Sequence, residues 1–233
     1  MARSMCRPPL TVLPTATPRP RNVSRRVFNN LFGKGKGDIP PSSPTSYPGT
    51  TPSASLHPKC DVLAETPNYQ LRLYTPFPVA QTPYEARDEG FLRLGDYISG
   101  PGNQASLRLI QSQPVFLEVT PTGKRMSVWI PEAIQDRSTG KMQPIPGGSV
   151  PLPTDPLVTL GVIGGLPVAA ALVKGYVTPD AAQRARAKLL QALAADGIRA
   201  AEGAEENFTI LQYGPLFQLT ERENEILVPI SLS

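Results

Sequence analysis

Histidine, cysteine and tryptophan are nearly missing from this chain of 233 residues, which contains one His, two Cys and one Trp. A structural zinc site needs several His or thiolate ligands in close company, and neither Cys6 nor Cys60 has that set around it. Two cysteines so far apart also make no disulfide framework. With so little His and Cys, no nucleophile and base constellation is in view, which argues against catalysis of that kind. Acidic residues are missing from one region only. Residues 1–37 carry Arg3, Arg7, Arg19, Arg21, Arg25, Arg26, Lys34 and Lys36 and not a single Asp or Glu. That leaves 15 of the 23 basic residues against all 19 acidic ones in the remainder, a net −4, so the formal charge of +4 misdescribes the body of the protein. A body of that balance offers no clustered basic face for phosphates, and nucleic acid is set aside as a partner.

What is present at the N-terminus is an arm rich in Arg, Ser, Thr and Pro, with no apolar run long enough for a secretory segment or a membrane span. Residues 1–37 therefore read as an organellar transit peptide. Pro8, Pro9, Pro14, Pro18 and Pro20 would break the amphipathic helix of a mitochondrial presequence, which favours the plastid. A plain basic tail that touches anionic membrane surfaces is the alternative. Residues 38–59 continue as a Pro/Ser/Thr-rich linker with too few large apolar side chains to pack, expected to be disordered, and the folded domain is assigned to 60–233. About 170 residues bury roughly 70% of their unfolded surface, enough to fold without disulfide or metal.

At Tyr69 the pattern changes. Tyr69, Leu71 and Leu73 alternate with Gln70, Arg72 and Tyr74, the period-two signature of a strand, and the first three are expected to be its buried side. Pro76, Pro78 and Pro83 suggest that Val79 to Thr82 is an edge segment. Tyr84, Phe91, Leu92, Leu94, Gly95 and Ile98 recur at helical spacing, with Glu85, Asp88 and Glu89 early, where the dipole favours acids, and Gly100, Pro101 and Gly102 to stop the helix. Short β-branched and aromatic runs predict strands at 114–119, 126–130, 157–163, 168–176, 209–213 and 225–230. A second helix is expected from Pro179 to about Asp196, with Thr178 as its cap, Pro179 at its first position and Gly197 past its end. The class is α+β. The order of strands and helices suggests two similar halves, each laying one helix on an antiparallel sheet.

Several short stretches, in order, resemble one family. Tyr69-Gln70-Leu71-Arg72-Leu73-Tyr74 followed by Val79-Ala80-Gln81-Thr82 is similar to the opening Y-E-x-R-x-Y…A-x-T of the SOUL/haem-binding-protein family. The run from Gly90 to Gly100 is similar to its G-F-x-x-L-x-x-Y-I-x-G, Met126 to Pro131 to its strand ending in Pro, and Leu152 to Val158 to its P-x-P-x-D-x-x-V. Tyr213-Gly214-Pro215 and Arg222-Glu223-Asn224-Glu225-Ile226 match its Y-x-P…R-x-N-E-[IV] ending. The resemblance implies a distorted antiparallel β-barrel of two pseudo-symmetric sheet halves flanked by two α-helices, with a cleft for haem or porphyrin. Two departures stand out. Gln111-Ser112-Gln113 replaces the usual M-T-A before Pro114-Val115, and the only histidine, His57, falls in the linker, so no imidazole is expected in the domain to coordinate haem iron.

The resemblance implies non-covalent binding, buffering or transport of haem or a related tetrapyrrole without a separate metal site, and the N-terminal arm places it in the chloroplast, in stroma or in peripheral association with thylakoid or plastoglobule membrane. A tetrapyrrole-acting enzyme, as in haem breakdown, and a structural thylakoid or plastoglobule protein that no longer binds ligand are the alternatives. For the site, Phe91, Leu94, Tyr97 and Ile98 could form an apolar wall on the first helix, with Arg87 or Arg93 at the propionates; Met126 and Trp129 could cover the ring. Each of these is equally what a helix or strand core face looks like. The charged Arg222, Glu223 and Glu225 read as a solvated face or an ion pair, and Gly161, Gly164 and Gly165 lack the spacing of a phosphate loop.

Overall fold

The computed structural model describes residues 57–136, 139, 141–214 and 223–231. The expected transit peptide and all but the last three residues of the expected linker lie outside these. The elements in chain order are β1 (Cys60–Glu65), β2 (Gln70–Tyr74), β3 (Phe77–Pro83), α1 (Arg87–Ser99), β4 (Val115–Thr120), β5 (Gly123–Trp129), β6 (Ala133–Gln135), β7 (Met142–Pro144), β8 (Thr159–Ile163), β9 (Pro167–Lys174), α2 (Pro179–Ala195), β10 (Phe208–Gln212) and β11 (Glu223–Pro229). The fold is α+β: nine antiparallel strands in the order β1-β2-β9-β11-β10-β4-β5-β3-β8 form one strongly curled half-barrel, and β6 and β7 make a separate hairpin.

The two halves expected from the element order are visible in the pairing. If β2, β3, α1, β4 and β5 are matched in turn with β8, β9, α2, β10 and β11, the strand order from β2 to β8 maps onto itself reversed, about an axis between β10 and β4. The helices obey the same match, α1 packing on β3 and β5 and α2 on β9 and β11. Each half lends its first strand to the other: β2 pairs with β9, and β8 with β3.

Local chemistry explains the helices. At the start of α2 the Thr178 hydroxyl accepts from the Ala181 N–H at 3.2 Å, Pro179 occupies the first turn, and Gly197 follows the end at φ 72°. Its Ala182, Leu189 and Leu193 are buried, while Arg184, Lys188 and Gln191 face solvent. Helix α1 ends at Gly100, whose φ of 113° suits glycine alone.

Three expectations are corrected. The segment around Val79 is interior, not an edge: β3 pairs with β5 on one side and β8 on the other. Its prolines are tolerated because they sit where no ladder donor is needed. The Pro78 carbonyl accepts from the Ile130 N–H at 3.0 Å, just past the end of β5, so the donor that Pro78 lacks faces the end of that strand, and Pro83 closes β3. Around β2 the expected side is buried only in part: Tyr69 is buried as expected and Leu71 and Leu73 are partly so, but Gln70, Arg72 and Tyr74 on the other side are buried as well. Both faces of this curled sheet are covered, so alternation did not separate core from water. Finally, a strand precedes Tyr69: β1 pairs with β2.

The core lies in two parts. Between sheet and helices are Leu94, Tyr97, Leu117, Met126, Leu189, Leu193 and Ile226, and inside the curl are Tyr74, Phe77, Val79, Phe116, Ala170, Leu211 and Tyr213. Each large apolar side chain so buried contributes roughly 1.5–3 kcal/mol.

Candidate functional site

On the helix side of the sheet, near the pseudo-twofold axis, α1 and α2 present their N-terminal ends to one groove of about 730 Å³, inside the roughly 300–1,000 Å³ usual for small-molecule sites. Tyr84, Val119, Tyr176, Val177, Ala182, Phe208 and Ile210 line it with apolar and aromatic surface. Three cations reach it: Arg87 from the first turn of α1, Arg186 two turns into α2, and Lys124 near the start of β5.

Both guanidiniums are held against aromatic faces. Arg87 lies 6.0 Å from the centre of the Tyr176 ring while its Nη2 donates to the Val177 carbonyl at 3.1 Å, and Arg186 lies 5.2 Å over Phe208. The Arg186 Nε is buried and has no hydrogen-bond partner among the described residues. Such a donor costs about 1–3 kcal/mol until an acceptor reaches it. Glu85, Glu205 and Glu206 also line the groove, but among the described residues none of them pairs with the three cations within 4.0 Å. No side chain caps the N-terminus of α1, so its first N–H groups add positive potential there. The site can therefore take a flat apolar body with acidic groups at its edge.

Two other concavities fit that ligand less well. One of about 610 Å³ runs beside α2 over Ala171, Ala181, Ala185 and Ala192 and has no aromatic lining. The other, about 330 Å³, opens inside the curl around Tyr74, Phe116, Ser127 and Val168, at the small end of the usual range.

Of the residues singled out from sequence, Arg87 lines the groove. Arg93 is turned elsewhere, its Nη1 donating to the Pro83 carbonyl at 2.9 Å and its Nη2 lying 3.8 Å from Glu89. Phe91, Leu94, Tyr97 and Ile98 are the core face of α1, with the Tyr97 hydroxyl donating to the Pro151 carbonyl at 2.7 Å. Burial pushes that hydroxyl up to about 12. Met126 is fully buried under α1, where a Cβ on Gly90 would stand 2.9 Å from its methyl carbon. Trp129, three residues along the same strand, packs in the other core, inside the curl. Odd spacing on a strand sends side chains to opposite faces, so these two cannot cover one ring.

Of the two readings of Glu225 from sequence the ion pair holds, but sequence reasoning missed that it forms the buried polar centre of the molecule. Inside the curl, Arg72 and Glu225 are 1% and 0% exposed and meet fork to fork, Nη1 on Oε2 at 2.9 Å and Nη2 on Oε1 at 2.6 Å. The Gln70 carbonyl oxygen accepts from Arg72 Nε and Nη2 at 2.9 and 2.7 Å, and the Tyr213 hydroxyl donates to Glu225 at 2.6 Å. Burial pushes the Tyr213 hydroxyl well up, reinforced by the Glu225 charge. Burial opposes the Arg72 charge, but Glu225 outweighs it and holds the guanidinium above its ordinary value. The signal was in the resemblance itself, since Arg72, Tyr74 and Glu225 all stand in the quoted motifs.

The histidine expectation is also corrected: His57 belongs to the folded part, its ring 6.1 Å from that of Tyr213. It remains remote from the groove. Strand β10 begins at Phe208, which lines the groove, and Tyr213 lies past its far end, about 17 Å on at ~3.4 Å per residue. Arg222 lies outside the described residues. Among the described residues no group of three His, Cys, Asp or Glu is placed to hold a metal ion, and no helix is long and apolar enough to cross a membrane.

The profile of a family described as "SOUL heme-binding protein" matches residues 56–229. No curated protein matches the chain. Among solved structures, a hydrolase from Listeria innocua is 10% identical, with a TM-score of 0.46, over 72% of this chain and 94% of its own. The C-terminal domain of EcmrR is 13% identical, with a TM-score of 0.45, over 71% and 99%. A protein solved with tetraphenylphosphonium bound is 15% identical, with a TM-score of 0.36, over 70% and 93%. At these values the likeness does not extend to function.

Proposed function

Because this chain belongs to the SOUL heme-binding protein family, we propose that it binds haem or a related tetrapyrrole non-covalently, in the groove between the N-terminal ends of α1 and α2. The observation that carries the reading is the Arg186 Nε, a buried donor without a partner among the described residues, beside an aromatic-lined groove of sufficient size. Arg87, Arg186 and Lys124 hold the ligand's carboxylates, and Tyr84, Tyr176, Val119 and Phe208 meet the ring by stacking and apolar contact. Haem, when bound, supplies an iron able to take an axial ligand. His57 is too far away to provide one. Tyr84 is a poor donor as well, because burial pushes its hydroxyl up, against a partial pull downward from Arg87, and so disfavours the phenolate. The function supported best is binding, buffering or delivery of the ligand. The composition of residues 1–37 supports a plastid setting, with stroma or the surface of thylakoid or plastoglobule as the site of exchange. A fluorescent fusion of the first 60 residues is expected to enter plastids, and a fusion left in the cytosol overturns that placement.

The test of the groove is a titration of the full chain with haem and with protoporphyrin IX, read by absorbance and by quenching of Trp129. Without an axial ligand the two are expected to bind within about tenfold, a difference of ~1.4 kcal/mol or less. Replacing Arg87 and Arg186 together by Ala is expected to weaken both by roughly ten- to a hundredfold, the scale of one to two charge-assisted hydrogen bonds. Absence of saturable binding, or unchanged affinity in the folded double variant, overturns the assignment.

A further inference from the structure

Among the described residues, exposed large apolar side chains fall mostly in one stretch of the chain. Of the nine exposed large apolar side chains among the described residues, five come from one stretch: Leu152, Leu157, Leu160, Val162 and Leu166. Their exposures are 58, 46, 37, 71 and 69%. The stretch contains β8, an edge of the nine-stranded sheet that α1 leaves uncovered.

Edge strands are normally defended by charge, proline or a bulge, because their open backbone groups pair with any strand that approaches. The other edge, β1, has such defences: it carries Asp61 and Glu65 and a register shift between Val62 and Ala64. Strand β8 has none of them. No charged residue occurs from Pro156 to Val173, no proline lies within Thr159–Ile163, and the pairing with β3 is regular.

The open groups can be identified. Because the Pro78 carbonyl points to β5, the backbone groups of Phe77, Val79 and Gln81 point to β8, opposite Ile163, Gly161 and Thr159. Leu160 and Val162 therefore turn their N–H and C=O outward, and among the described residues nothing pairs with them. These are also the residues whose side chains stand exposed.

We propose that β8 is a dimer interface, in which a second copy of this chain adds its own β8 antiparallel, centred on Gly161. That register sets Leu160 of one copy opposite Val162 of the other, twice, and lets each pair exchange both of its backbone hydrogen bonds. The two Leu160 and two Val162 side chains then cover one another, with Leu157 and Leu166 at the flanks. A second copy fits better than a foreign strand for two reasons. Pro156 and the Gly164-Gly165 turn limit the accessible ladder to about five residues, the length of β8 itself at its ~17 Å span. With no charge on either side, the strand meets its own copy without repulsion, and a symmetric antiparallel contact closes as a dimer instead of growing into a filament.

Sedimentation equilibrium of the full chain tests this. The expected result is a concentration-dependent mass that rises to twice that of one chain. Val162→Lys is expected to weaken self-association by about tenfold or more, as an edge lysine should. Val62→Lys, on the defended edge, should leave it unchanged. A full chain that stays monomeric, or a dimer that survives Val162→Lys, or one that Val62→Lys disrupts equally, overturns the interface. A monomeric full chain is also the result expected if residues 1–56 cover the edge instead. Porphyrin binding measured on the same samples reads the groove, to which no residue of β8 contributes, so its failure and that of the interface are separately visible.

Discussion

Glu225 shows how much a single residue can carry. It is completely buried, and its carboxylate balances Arg72 and accepts from Tyr213. Glu225→Gln keeps the shape but removes the carboxylate charge that grips the Arg72 guanidinium fork to fork, which is expected to cost roughly 3–5 kcal/mol in denaturant unfolding. The pair Arg72→Met with Glu225→Leu is expected to cost less than the sum of the single changes, because the two residues share one bidentate interaction that each single change already removes. His57 makes a different prediction. Burial holds its pKa below 6.5, against smaller upward pulls from the Gln113 backbone and Glu225. As pH falls through 6.5 the unfolded chain takes up a proton that the native state refuses, so stability declines on the acid side. As the only histidine, it can be tested cleanly: His57→Gln should flatten the thermal midpoint between pH 6.5 and about 5. An unchanged slope in that variant would show that another group is responsible.

At the scale of an element, the exit from α1 is the most constrained feature. The Gly102 N–H donates to the Asp96 carbonyl at 2.9 Å, and a Cβ there would stand 2.6 Å from the Tyr97 backbone nitrogen. The next residue, Asn103, ties the turn down, donating to the carbonyls of Tyr97 and Leu107 at 2.8 Å each and accepting from the Leu107 N–H at 3.0 Å. Gly102→Ala meets backbone that cannot yield, and an overpacking loss of about 1–3 kcal/mol is expected by chemical denaturation. Gly90→Ala is milder, since it meets the flexible end of Met126 and gains helix propensity. Thr178→Ala removes the cap of α2 and should cost about 1 kcal/mol. The Gly-Pro-Gly stop after α1 and the Thr-Pro start of α2 could both be read from sequence, because capping depends on neighbours in the chain. The β6–β7 hairpin could not, being three residues a side with little apolar pattern.

For the molecule as a whole, the exchange of β2 and β8 between the halves means that neither half owns a complete sheet. The two halves are expected to unfold in one transition. Trp129, the only tryptophan, lies in the first half, whereas α2, the longer helix, lies in the second. Fluorescence and far-ultraviolet dichroism should give coincident denaturation curves. Two separated midpoints would mean that the halves are independent. The same architecture explains the groove, since bringing the starts of both helices to one place follows from the pseudo-twofold axis.

The sequence by itself determined the α+β class, the second helix with its limits, the first helix with its end but not its start, which falls at Arg87 and leaves out Tyr84 and Glu85, most of the strands, the family and one groove residue, Arg87. These are local or patterned properties: capping, periodicity and short ordered motifs are all written along the chain. The tertiary structure alone decided that the Arg72 side of β2 is buried as well, because that depends on a carboxylate 153 residues away at Glu225. It alone separated Met126 from Trp129, set Phe91, Leu94, Tyr97 and Ile98 in the core and brought Arg186 from α2 to lie over Phe208 beside Arg87. A binding groove is a relation between distant segments, and only folding brings them together.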